Sequence, residues 1–232
     1  MKHFCLVILL LALVTACSRD AVNGPVENSD WIRLTSPENS DVQAVYGTID
    51  STLIMISNFK IYHTKDQGKT WTSSPYPVMV GLTGFLATTD TLFALTATSG
   101  IQKDGTIYAN APRYYSLDQG ITWQAYNGFS LTKHYTPLNK LHASNGVVYS
   151  VDELRTPING GSTNYYLQTV GLQTSTGKKI PLPQEHQIKS ITMDSRGRLY
   201  VAGSAAVCGG LRDFHFCNGQ RGVIYVSKKA LP

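Results

Sequence analysis

The chain has 232 residues, only 15% of them Asp, Glu, Lys or Arg, with 20 basic residues against 15 acidic ones and a formal charge of +5. That length suffices for one well-buried domain. The Lys178-Lys179 and Lys228-Lys229 pairs stand apart in sequence and no basic cluster emerges, so the charge gives nucleic-acid binding no support; a mildly basic surface suits an acidic partner.

The N-terminus opens with Met1-Lys2-His3, followed by an unbroken apolar run over residues 6–14. Nine residues are far short of the roughly 20 needed to span a bilayer, and the pattern suits a secretory leader. The run ends in Val14-Thr15-Ala16-Cys17, which resembles the lipobox of bacterial lipoproteins. The resemblance implies cleavage before Cys17, lipid on its thiol and, with Ser18 following, sorting to the outer membrane, the domain facing the periplasm or the cell surface. An ordinary signal peptide followed by a coincidental Cys is the competing reading. Loss of Lys2 leaves 19 basic against 15 acidic residues, about +4. Residues 1–16 are therefore expected as signal peptide, 17–29 as a polar tether with Gly24 and Pro25, and 30–232 as the domain.

Beyond the tether, β-branched and aromatic runs are cut by Gly, Asn, Asp and Ser, which predicts strands and turns. One unit, strand–tight turn–strand, recurs at Val42, Gly84, Asn139 and Ile188, with turns at Asp50-Ser51, Asp90-Thr91, Asn145-Gly146 and Asp194-Ser195-Arg196-Gly197. Its second strands begin at Leu53, Leu92, Val148 and Leu199. A period of roughly 40–50 residues with four strands per unit predicts a small all-β propeller of four four-stranded antiparallel blades. Third and fourth strands follow in three units: "KIYHT" and "KTWTSS", "RYYS" and "ITWQAY", "NYYLQTV" and "KKIPL". The last unit has only "GVIYVSK", so "DWIRLT" at residues 30–35 is expected to complete it and close the ring. Five blades, or a β-sandwich, are the alternatives.

Two octapeptides, "TKDQGKTW" (residues 64–71) and "SLDQGITW" (residues 116–123), match in register and resemble the Asp-box or BNR repeat of sialidase-like propellers and of many non-enzymatic exported proteins. The motif marks a fold and not an activity. Asp66 and Asp118 suit bonds to N–H groups of their own turn, with Thr64 and Ser116 bonding back. Gly68 and Gly120 suit a positive φ, and Trp71 and Trp123 suit packing between blades. One carboxylate per turn is too few ligands for calcium.

In a propeller the turns after first and third strands share one face, and the loops after second strands lie opposite. The loop near residues 57–60 is short. The other three, residues 98–112, 153–163 and 204–222, are long and are expected to form a recognition face. They offer Lys103, Asp104, Tyr108, Arg155, Asn159, Arg212, Asp213, Phe214, His215, Phe216 and Arg221, aromatics beside Arg and Asn that suit a protein or a glycan. Cys208 and Cys217 in "CGGLRDFHFC" read as a local disulfide in an exported chain, with two free buried thiols as the alternative; with His215 they lack a fourth ligand for zinc.

Catalytic signatures are missing: there is no Arg-Ile-Pro of the sialidases, no Gly-x-Ser-x-Gly, no His-Glu-x-x-His, and nothing selects a carboxylate pair from Asp104, Asp152, Glu153 and Asp213. The sequence thus reads as a lipid-anchored binding propeller without metal or cofactor, recognising a protein, as an inhibitor or immunity-type lipoprotein in one version, or a glycan. A sialidase-like or other glycan-active hydrolase is the rival.

Overall fold

The computed structural model describes residues 26–128, 136–158, 164–210 and 213–231. Cys17, Asn159 and Arg212 lie outside them.

Four antiparallel sheets form a ring. Blade one is β3 (Val42–Gly47), β4 (Leu53–Ser57), β5 (Lys60–Thr64) and β6 (Thr72–Ser74), in that order outward. Blade two is β7 (Gly84–Ala87), β8 (Leu92–Thr98), β9 (Tyr108–Ser116) and β10 (Gln124–Ala125), with β11 (Thr136–Pro137) added on β9. Blade three is β12 (Lys140–His142), β13 (Val148–Pro157), β14 (Tyr165–Thr174) and β15 (Lys179–Ile180). Blade four is β16 (His186–Met193), β17 (Leu199–Ala206) and β18 (Val223–Ser227), and its fourth strand is β2 (Trp31–Thr35), which runs antiparallel to β18 from Trp31↔Ser227 to Thr35↔Val223. The chain start therefore closes the ring. Val26–Glu27, read from sequence as tether, form β1 against Arg33 and Ile32 of β2.

Burial follows each strand's place in its blade. β4 and β18 are buried along their whole length, because blades cover both of their faces. β6 and β10, on the outer rim, are mostly exposed. The core divides into four clusters, three of them joints between neighbouring blades. Leu34, Val42, Leu53, Met55, Tyr200 and Ile224 fill the joint of blades four and one. Ile54, Ile61, Phe85, Tyr114 and Trp123 fill that of blades one and two. Trp31, Tyr149, Leu172, Val201 and Tyr225 fill that of blades three and four. The fourth cluster, Leu95, Ala109 and Leu138, is the smallest and lies within blade two, at its exit to blade three. The inner strands β3 and β7, with residues 136–138, Ser190 and Thr192, line an open cavity of about 200 Å³.

All three long loops are shorter than in the sequence reading, the one in blade four only because residues 204–206 belong to β17. Residues 108–112 belong to β9, so Tyr108 is a half-buried strand residue paired with Pro137. Residues 153–157 belong to β13, which continues past a bulge at Asp152/Glu153 to pair with Tyr165–Thr169 of β14. Blade three thus carries a projecting two-stranded arm where a loop was expected.

Candidate binding face

The two octapeptides fold alike. The Thr64 hydroxyl donates to Asp66 Oδ1 at 2.7 Å and accepts from the Gly68 N–H at 3.0 Å; Ser116 does the same with Asp118 and Gly120 at 2.7 and 2.8 Å. The carboxylates accept from the N–H and hydroxyl of Thr70 or Thr122, at 2.9 and 2.6 Å in both boxes. These bonds, those of Thr70 foremost, pull Asp66 down to about 2. Burial opposes the shift at Asp118, yet the bonds from Thr122 and Ser116 still hold it low. Every carboxylate oxygen is occupied within its own turn.

The boxes are also joints. A Cβ on Gly68 would lie 2.9 Å from Leu34 of blade four, and one on Gly120 2.7 Å from Ile54 of blade one. Trp123 stacks on Phe85 at 6.0 Å and donates to the Gly120 carbonyl at 3.0 Å, while Trp71 packs against the joint of blades four and one. Gly120→Ala should therefore cost about 1–3 kcal/mol, combining left-handed strain with overpacking. Gly146→Ala, at nearly the same φ (+84° against +87°) but with open space around the added carbon, should cost only the strain. Urea unfolding of both variants checks the difference; equal losses would mean that contact with Ile54 does not matter.

On the opposite face the three long segments have different fates. In blade two, Asp104 accepts from the Thr106 N–H and hydroxyl at 3.1 and 2.7 Å and from Lys140 at 3.1 Å, which pulls its carboxyl down to about 2. Asn139 ties Ile107 N–H and Gly105 C=O to blade three. Asp104 thus fastens a turn, and Lys103 beside it is exposed. On the arm, Arg155 pairs with Glu153 at 3.1 Å. In blade four, Cys208 and Cys217 are disulfide-bonded and Val207 bridges Phe216. Asp213 is exposed, His215 Nδ1 donates to its carbonyl at 2.9 Å, and Arg221 donates to Pro37 O at 3.1 Å, holding the connection into blade one.

The arm and the cystine loop meet. Phe214 and Phe216, edge to face at 5.4 Å, stand across from Tyr166, Leu167 and Gln168, with Gln187 at the base. The slot between them is about 310 Å³ and almost wholly apolar. Leu154, Tyr165, Tyr166, Leu167, Phe214 and Phe216 are each 41–47% exposed. Below the slot, Thr169 accepts from the Ile188 N–H at 2.8 Å and donates to the His186 carbonyl, stitching blade three to blade four. His186 Nδ1 lies 2.9 Å from the Ser204 carbonyl, which can only accept, so Nδ1 carries the proton and Nε2 accepts from Tyr225 at 3.1 Å. Burial pushes this histidine below its ordinary pKa and keeps it neutral.

The fold thus unites Phe214 and Phe216 with residues that the sequence reading did not single out, leaves Asp104, Arg155 and Arg221 in separate local ties, and leaves Lys103 exposed. The signal for the arm was present. Tyr165-Tyr166-Leu167 is an apolar run without alternation, so the strand must turn an apolar side chain outward.

A four-bladed ring with two Asp-boxes defines the class as a β-propeller with a structural face and a loop face. A model of the BNR/Asp-box repeat matches residues 114–125, and the chain is a BNR-type β-propeller. No curated protein matches it. Among solved structures it is similar to YCF48 bound to D1 peptide (12% identity, 82% of this chain and 69% of that one, TM-score 0.25). It is also similar to the WD40 propeller domain of Doa1 (10%, 84% and 95%, 0.32). A third is PorZ, a surface component of the type-IX secretion system of Porphyromonas gingivalis (14%, 88% and 33%, 0.29). The chain spans about a third of PorZ, and none of these low scores bears on what it binds.

Proposed function

We propose that this protein is an exported, lipid-anchored binding propeller that recognises a protein partner through the slot between the blade-three arm and the blade-four cystine loop. The observation that carries the reading is the set of four half-exposed large apolar side chains, Tyr166, Leu167, Phe214 and Phe216, that line one slot from two adjoining elements, one of them pinned by a disulfide. Contiguous exposed apolar surface of this kind marks interaction sites, and aromatic anchors beside a preformed slot are what dominate interface energetics. The nearly apolar lining favours a protein side chain over a sugar, whose hydroxyls would go unpaired there. In the finer version the protein is an inhibitor or immunity-type lipoprotein, and the rigid slot seats an anchor of the protein it blocks. Cys17 carries the lipid, placing the domain at the outer membrane.

The test is capture of a partner by the full chain, repeated with Phe216→Asp and with Asp66→Asn on the box face. Phe216→Asp should weaken the captured partner by about 2 kcal/mol or more, roughly thirtyfold, with Asp66→Asn without effect on binding. A partner held equally by both variants would place the interface elsewhere.

A further inference from the structure

The third-to-fourth strand turns of blades one and two are Asp-boxes. In blades three and four the same positions carry lysine pairs. Lys178-Lys179 lie at the turn between β14 and β15, and Lys228-Lys229 directly follow β18, where the return strand β2 comes from the chain start. The pairs are 50 positions apart in sequence, yet they line one cleft of about 340 Å³ at the joint of these blades. Trp31, Ile180, Pro181 and Leu231 supply its apolar lining.

We infer that this cleft is a membrane-facing surface that takes anionic phospholipid headgroups. Charge is the support. Four lysines line the cleft beside one lining carboxylate, Asp30, and Asp152 pairs with Lys179 at 2.6 Å. The lining cations are all lysines, compact point charges that suit phosphates without the two-pronged geometry arginine gives to carboxylates. The cleft lies on the Asp-box face, and β1, read back from Glu27 opposite Ile32 to Val26 opposite Arg33, leads away from that face. Headgroup binding by the cleft therefore stands on its charge and lining and not on an anchor at Cys17.

A chain beginning at Ser18 retains every described residue and carries no lipid, so it isolates the cleft. It should sediment with vesicles of phosphatidylcholine mixed with phosphatidylglycerol, not with phosphatidylcholine alone, and added salt should release it. Lys178→Glu combined with Lys229→Glu should lower partitioning at least about tenfold, since each lysine near an anionic surface is worth roughly fivefold. Lys103→Glu, on the other face, should leave it unchanged. No phosphatidylglycerol dependence, or partitioning untouched by the double reversal, would overturn the inference. So would lysine-dependent capture of an acidic protein by a chain that ignores the vesicles. Acylation of Cys17 is read separately, from the mass of the full chain recovered from membranes; its absence would remove the anchor and leave the vesicle result standing.

Discussion

A chain cut to begin at Ser36 is expected to lose its cooperative unfolding transition. The cut removes β2, whose Trp31 and Leu34 are buried in different joints: Leu34 between blades four and one, Trp31 between blades three and four. Trp31 meets Tyr225 edge to face at 6.2 Å, and Leu34 covers Gly68 of the first Asp-box. Removing a large buried apolar side chain costs about 2–5 kcal/mol. Two such losses approach the whole stability of a domain, about 5–15 kcal/mol. The cut also bares β18 along five paired residues, leaving an open edge in a fully apolar strand. Thermal melts followed by circular dichroism, comparing chains that start at Ser36 and at Ser18, decide the matter. Matching melts would mean that the ring does not depend on its N-terminal strand.

The second large effect is expected at Arg198. Its guanidinium, 13% exposed, sits between Asp194 at 2.8 Å and Asp50 at 2.6 Å, and so ties the first turn of blade four to that of blade one. Asp194 is 2% exposed and also accepts from Thr48 at 3.1 Å and Tyr200 at 2.9 Å. The Tyr200 hydroxyl in turn accepts from the Ile49 N–H at 3.0 Å. Arg198→Met leaves a buried carboxylate without its cation and should cost about 3 kcal/mol or more. The pH dependence has a definite sign. Burial alone would push the Asp194 carboxyl up, but the bonds from Arg198, Tyr200 and Thr48 hold it below the ordinary value. Its contribution is therefore complete above the unfolded pKa, about 4, and is lost as pH falls through the lower folded value. In Arg198→Met burial gains the upper hand and acid relieves the strain of the unpaired charge. The gap in Tm between the two proteins should be widest at neutral pH and narrow toward pH 4 and below. A gap that stays constant with pH would remove Asp194 from the explanation.

Local chemistry explains what the sequence discloses. Asn145-Gly146 turns where it is written, with Asn145 Oδ1 accepting from the Val147 N–H at 2.9 Å and Gly146 at φ +84°. The octapeptides carry all the atoms of their own hydrogen-bond sets, and the spare strand at Trp31 is recognisable because blade four lacks one. What stays hidden depends on register or distance. Glu153–Pro157 contain charges and a proline and look like a loop, yet pairing with Tyr165–Thr169 carries the strand through them. Gln67 and Gln119 adopt positive φ, 64° and 60°, although nothing in a glutamine asks for it; the box's bonds to the flanking residues impose it. Arg198 and Asp50 are 148 positions apart, and the two lysine pairs 50. Such pairings exist only after the ring closes. The candidate face was half legible for the same reason: Phe214 and Phe216 stand out beside their cysteines, but the wall opposite them belongs to another blade.

Site-specific photo-crosslinking in the native envelope tests the central claim most directly. A photoreactive residue at position 166 or 216, on the two walls of the slot, should give a discrete adduct with one protein. The same residue at 65 or 117, in the Asp-boxes, should not. Adducts from the box positions, with none from the slot, would contradict the assignment of recognition to the loop face.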